Sequence, residues 1–100
     1  MEKVVVILTQ KGALSRGLQN NTMINLFRLK GSNIFEVENI KMEKVNDTFF
    51  SKLMTTKKVD MIYTGTLSDQ LHHSLTNAGV IIKYMDDINN DKFIEQFVFA

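Results

Sequence analysis

The chain has 100 residues, of which 44% are hydrophobic and 23% charged, and its formal net charge is +1. That mixture suits one globular domain over residues 1–100, and its balanced charge excludes nucleic-acid binding by bulk electrostatics. There is no cysteine, which excludes disulfides, thiolate nucleophiles and cysteine ligation of an iron–sulfur cluster by this chain.

A chain of this size buries roughly 60–70% of the surface its unfolded form exposes. It can hold one core but no deep private cavity, so a site is expected in a cleft at one edge of a sheet or in a groove shared with a partner. The first apolar run, Val4 to Leu8, is too short for a secretory signal or a membrane span. A cytoplasmic location with no membrane association is the expectation.

The absence of proline leaves turns to Gly, Asn, Asp and Ser. Val4-Val5-Val6-Ile7-Leu8 is a continuous β-branched run, the pattern of a strand buried on both faces. A polar loop is expected from Thr9 to Asn21. Met23 to Leu29 and Ile34 to Ile40 then flank the turn Lys30-Gly31-Ser32-Asn33, as in a hairpin with its second strand at or near an edge. Asn46 or Asp47 can cap a helix through about Lys57, with Phe49, Phe50, Leu53 and Met54 on its apolar face.

Val59 to Tyr63 reads as a second buried strand. A helix is expected from about Leu67 to Ala78, with Leu67, Leu71, Leu75 and Ala78 as its core stripe and Gly79 as its stop. Val80 to Tyr84 is a further strand. A last helix is expected from about residues 88–90 to the C-terminus, burying Phe93, Ile94, Phe97 and Val98. The order βββαβαβα predicts an α/β fold: a three-layer domain with a five-stranded mixed sheet, one antiparallel strand and helices on both faces.

In such a sheet, ligands sit beyond the carboxyl ends of the strands. The loops after the first and fourth strands should meet there. The first supplies Lys11, Ser15, Arg16 and Asn20. The second supplies Thr64, Gly65, Thr66 and Ser68, and opens a helix whose N–H groups and dipole favour an anion. Thr66 or Ser68 could cap that helix. A plain tight turn with an N-cap fits the same residues, since many ligand-free α/β proteins contain one.

His72 and His73 are adjacent on the helix, about 100° apart, so they cannot chelate one metal together. His72 is a candidate metal ligand only by itself, and such histidines are more often solvated or packed beside the core. Asp60, Asp86 and Asp87 do not complete the acidic cluster that metal-dependent phosphodiester chemistry needs, because the first strand carries no acid. No catalytic residue is therefore assigned, and the chain is expected not to be an enzyme. The spread of Met23, Met42, Met54, Met61 and Met85 through apolar positions favours packing over a cofactor box.

The opening Val4–Leu8 strand, Leu14-Ser15-Arg16-Gly17-Leu18 with Asn20-Asn21, the hairpin ending Phe35-Glu36-Val37-Glu38, and Val59–Leu67 followed by Leu75–Val80 together resemble the nitrogenase iron–molybdenum cofactor biosynthesis accessory domain. That family is a ribonuclease H-like α/β module, and the resemblance covers nearly the whole chain. It implies a non-enzymatic carrier or accessory protein for an iron–sulfur or iron–molybdenum cofactor precursor, bound at the loops named above. Two departures stand out. The family's turn is richer in glycine than Thr64-Gly65-Thr66, and the histidine often found in its first loop is replaced by Ser15-Arg16-Gly17. The alternative is a protein-interaction or homodimerisation module that keeps only the scaffold, using the edge of the Met23–Ile40 hairpin.

Overall fold

The computed structural model describes residues 2–84. Their elements are β1 (Glu2–Gln10), β2 (Ala13–Leu14), β3 (Thr22–Lys30), β4 (Asn33–Met42), α1 (Asp47–Thr56), β5 (Met61–Thr64), α2 (Asp69–Asn77) and β6 (Ile81–Tyr84). The main sheet runs β4-β3-β1-β5-β6, with β2 attached to β1. β1, β5 and β6 pair in parallel, while β3 is antiparallel to both β1 and β4. On the five-strand path β3 is thus the single antiparallel strand, as the element order predicts.

β1 is central, and all of Val4 to Leu8 are buried. Alternate residues face opposite sides of the strand. Val4, Val6 and Leu8 join Ile24, Leu26 and Ile62 on one face, where Phe50 and Met54 of α1 and Leu71 and Leu75 of α2 pack on them. Val5, Ile7, Phe27, Leu29 and Tyr63 form a second core cluster on the other face. The sheet is therefore buried on both sides, the layering of a three-layer α/β domain. Both described helices lie on the first face. The expected last helix falls outside the described residues.

Four local expectations change. The stretch from Thr9 to Asn21 is not all loop, because β1 runs to Gln10 and β2 folds back so that Gln10 faces Ala13. Lys11 and Gly12 form the two-residue turn, both at positive φ (55° and 80°), which suits a tight hairpin. Phe49 is 47% exposed rather than part of the apolar face of α1. Ala78 is exposed at the end of α2 and is not part of its core stripe.

Asp60 precedes β5 instead of lying within it. Its Oδ2 accepts the Val4 N–H at 2.8 Å and its own N–H donates to the Val4 carbonyl at 2.8 Å. That carboxylate fastens the start of β1 and is not part of an acidic site.

Capping explains the helix starts. Asn46 Oδ1 accepts from Phe49 N at 2.9 Å, and Ser68 Oγ accepts from Leu71 N at 3.2 Å, each satisfying a donor that the first helical turn leaves free. Of the two candidate caps for α2, Ser68 takes the role. Both helices return antiparallel to the parallel strands, so both N-termini open at the carboxyl edge of the sheet.

Candidate functional site at the carboxyl edge of the sheet

The loops after β2 and β5 are joined by backbone contact. Gly65 N–H donates to the Ser15 carbonyl at 2.6 Å, and Thr66 Oγ1 donates to the Arg16 carbonyl. A Cβ on Gly65 would stand 2.6 Å from Arg16 Cα and 2.7 Å from the Ser15 carbonyl oxygen, and one on Gly17 would stand 2.9 Å from the Thr66 carbonyl oxygen. Both glycines therefore let two chain segments approach closer than any side chain permits.

Ser15 is buried beneath this junction, where its hydroxyl donates to the Gly17 carbonyl at 2.5 Å. Thr64 is also fully buried, and its hydroxyl donates toward the Thr66 and Ser15 carbonyls at 3.4 and 3.5 Å. The far end of the first loop is fixed as well. Thr22 Oγ1 accepts from Gln19 N at 3.0 Å and donates to the Gln19 carbonyl at 2.8 Å.

Above the junction lies an open cleft of about 330 Å3, lined by Arg16 to Gln19, Asp47, Thr66 to Ser68, and Leu71. Of the residues singled out in the sequence, Arg16, Thr66 and Ser68 meet in it. Ser15, Thr64 and Gly65 form its foundation, with the Gly65 N–H already taken by Ser15. Lys11 stands on the β1–β2 turn and does not line the cleft. Asn20 Oδ1 accepts from Val45 N at 2.8 Å and so ties the loop to the segment before α1.

His72 does not point at the cleft either. Its Nδ1 lies 2.6 Å from Tyr84 Oη, and the two rings stack with centroids 5.7 Å apart. Burial, and secondarily the negative charge of Asp69, push the Tyr84 phenol above its ordinary pKa. The Tyr84 hydroxyl can donate to Nδ1 in that geometry. Among the described residues no three His, Asp or Glu side chains converge as a metal site.

The residue that sequence reasoning missed is Asp47. It opens α1 and lines the same cleft as Arg16, so the site holds a carboxylate as well as a cation. The signal was present: a helix returning from β4 must begin at the same edge as the loop after β5. Arg16 is exposed and forms no ion pair among the described residues, so the cleft holds an uncommitted positive charge beside two helix N-termini.

No protein-family model matches the chain, and no curated protein matches it. Solved structures do. A protein from Methanocaldococcus jannaschii, described provisionally as a dinitrogenase, superposes with a TM-score of 0.69 at 17% identity, over 96% of this chain and 91% of that one. A protein named PH0822 superposes with a TM-score of 0.68 at 10% identity, over 79% of this chain and 73% of that one. The chain shares their fold. At such identities the likeness extends to the backbone and not to the chemistry of a site. No described helix is long and apolar enough to cross a membrane.

Proposed function

We propose that this chain is a small non-enzymatic binding module that takes an anionic ligand in the cleft between Arg16 and Ser68. The observation that carries the proposal is Arg16, held by its backbone in a fixed junction while its side chain, in the lining of a cleft, forms no ion pair among the described residues. The N-termini of α1 and α2 add favourable potential for a negative group. Asp47 restricts the binding position to the Arg16 side.

The sequence resemblance suggests a cofactor precursor as cargo. Without cysteine, and with His72 engaged by Tyr84, such a cluster would be held here by charge and hydrogen bonds rather than by ligation. The described donor set does not fit a resident metal group.

Titration of the chain with inorganic phosphate, followed by amide chemical shifts, tests the anion site. Shifts should centre on residues 16–19 and 66–68, and Arg16→Gln should weaken binding about tenfold, the effect of one charge-assisted hydrogen bond. Unchanged binding in Arg16→Gln removes the proposal. Anaerobic mixing with an iron–sulfur cofactor precursor, then desalting, separates the cargoes. Retained iron or molybdenum that Arg16→Gln abolishes would identify cluster cargo, whereas phosphate binding without retained metal would leave the anion site and remove the cluster.

A second reading, partner binding through β4, rests on a separate observation. Phe35 and Val37 are each about half exposed, and no described strand pairs with the outer edge of β4. A free edge invites another strand. The irregular register between Arg28 and Leu29 and the carboxylates Glu36 and Glu38 oppose such pairing. Sedimentation at two concentrations decides it: a concentration-independent monomer removes the homodimer.

A further inference from the structure

We infer that the cleft and the adjoining groove between α1 and α2 form one elongated site, and that its ligand is a phosphorylated polyol of the sugar-phosphate class. This deepens the anion-binding reading and rests on it, since the phosphate end lies at Arg16. The groove, of about 540 Å3, shares Asp47 and Leu71 with the cleft as common walls. Each cavity falls within the roughly 300–1,000 Å3 usual for small-molecule sites.

The lining of the groove specifies the rest of the ligand. Ser51 and Ser74 present hydroxyls, Gln70 an amide, Lys52 an ammonium and Asp47 a carboxylate, while Thr55 donates its own proton to the Ser51 carbonyl at 3.1 Å and can only accept. Hydroxyl groups of a ligand are both donors and acceptors, so they need a wall that offers both. Asp47 can accept from two neighbouring hydroxyls, and Lys52 can donate to one.

Ser51 and Ser74 reach across the helix seam with their Oγ atoms 3.3 Å apart. That contact uses one proton of the pair, so one O–H donor and further acceptor capacity remain for a ligand. Among the described residues no aromatic side chain lines either cavity, so none of them offers a nucleobase a stacking surface. Asp47 at the shared wall disfavours a second phosphate there, which leaves a single anionic end followed by a neutral hydroxylated body.

The experiment compares glucose 6-phosphate, inorganic phosphate, glucose and adenosine monophosphate as probes, by titration of the full chain with folding checked by near-ultraviolet circular dichroism. Glucose 6-phosphate should bind about tenfold more tightly than phosphate, equivalent to one or two net hydrogen bonds. Ser51→Val with Ser74→Val should erase that gain and leave phosphate affinity unchanged. Lys52→Gln, on an exposed position, should lower the gain without touching the seam.

If glucose 6-phosphate binds no better than phosphate while Arg16→Gln weakens both, the anion site stands and the elongated site is wrong. Tighter binding of adenosine monophosphate than of glucose 6-phosphate overturns the ligand class. If no phosphate compound binds, the anion-binding reading falls, and this inference with it.

Discussion

The junction between residues 15–17 and 64–66 and the hairpin of β3 and β4 are both surface features, but they are held in opposite ways. At the junction, backbone meets backbone through two glycines, and the polar side chains of Ser15 and Thr64 are buried against carbonyl groups. In the hairpin, a long ladder carries the structure, and side chains on its outer strand are mostly exposed. The first arrangement leaves no space for a methyl group. The second should accept most substitutions at the exposed positions of β4, because ladder hydrogen bonds do not depend on side-chain identity, whereas the buried residues of β3 belong to the core. A rigid junction beside a tolerant edge suits a module whose binding position must be fixed.

The largest effect should come from adding one carbon at the junction. Gly65→Ala places a Cβ against backbone atoms of Ser15 and Arg16 that cannot rotate away, and should cost about 2–3 kcal/mol in urea denaturation. Gly17→Ala meets the Thr66 carbonyl at a slightly longer distance and should cost less. Equal tolerance of alanine at Gly65 and at exposed Ser32 would break the contrast between the two regions.

Ser15→Ala should cost about 1–2 kcal/mol, because it leaves the buried Gly17 carbonyl without the hydroxyl donor. In the hairpin, Glu38→Gln removes a surface pair in which Lys57 Nζ lies 3.1 Å from Oε1. That change should cost about 0–1 kcal/mol, and the difference should shrink in high salt. A loss equal to that of Ser15→Ala would show that the hairpin, too, depends on its side chains.

The smallest effect is a pH dependence at the far end of the same edge. The folded-state pKa of Tyr84 is raised above its ordinary 10.0 by burial and by Asp69. The folded chain therefore holds this proton more tightly than the unfolded chain. Its contribution to stability is fully present below pH 10.0 and is lost as pH rises through the higher folded value. Denaturation curves across that alkaline window should fall more steeply for the native chain than for Tyr84→Phe. Parallel curves would show that burial of Tyr84 beside Asp69 carries no such linkage.

Much of the fold was legible because it rests on period and punctuation. The run Val4 to Leu8 had the pattern of a doubly buried strand, the pairs Asn46/Asp47 and Thr66/Ser68 marked the helix starts without deciding which residue caps, and the early hairpin among strand–helix–strand units argued for one antiparallel strand. The short strand β2 was not legible. Two residues carry no periodic signal, and the turn at Lys11-Gly12 shows itself only through backbone angles. The exposure of Phe49 was hidden for a related reason: helical spacing places residues on an arc, and neighbours decide how much of that arc is covered.

For the candidate site, the sequence by itself determined the inventory: an arginine, hydroxyls and glycines in two loops at one edge, without cysteine and without a complete acidic cluster. Only the tertiary structure decided their roles. It gave the Gly65 N–H to Ser15, turned Asn20 to Val45 and His72 to Tyr84, and brought Asp47 from a distant helix start into the same cleft as Arg16. The physical reason is that each polar group satisfies a limited number of hydrogen bonds. Which partner it meets depends on contacts between segments far apart in the chain, and local spacing does not encode those contacts.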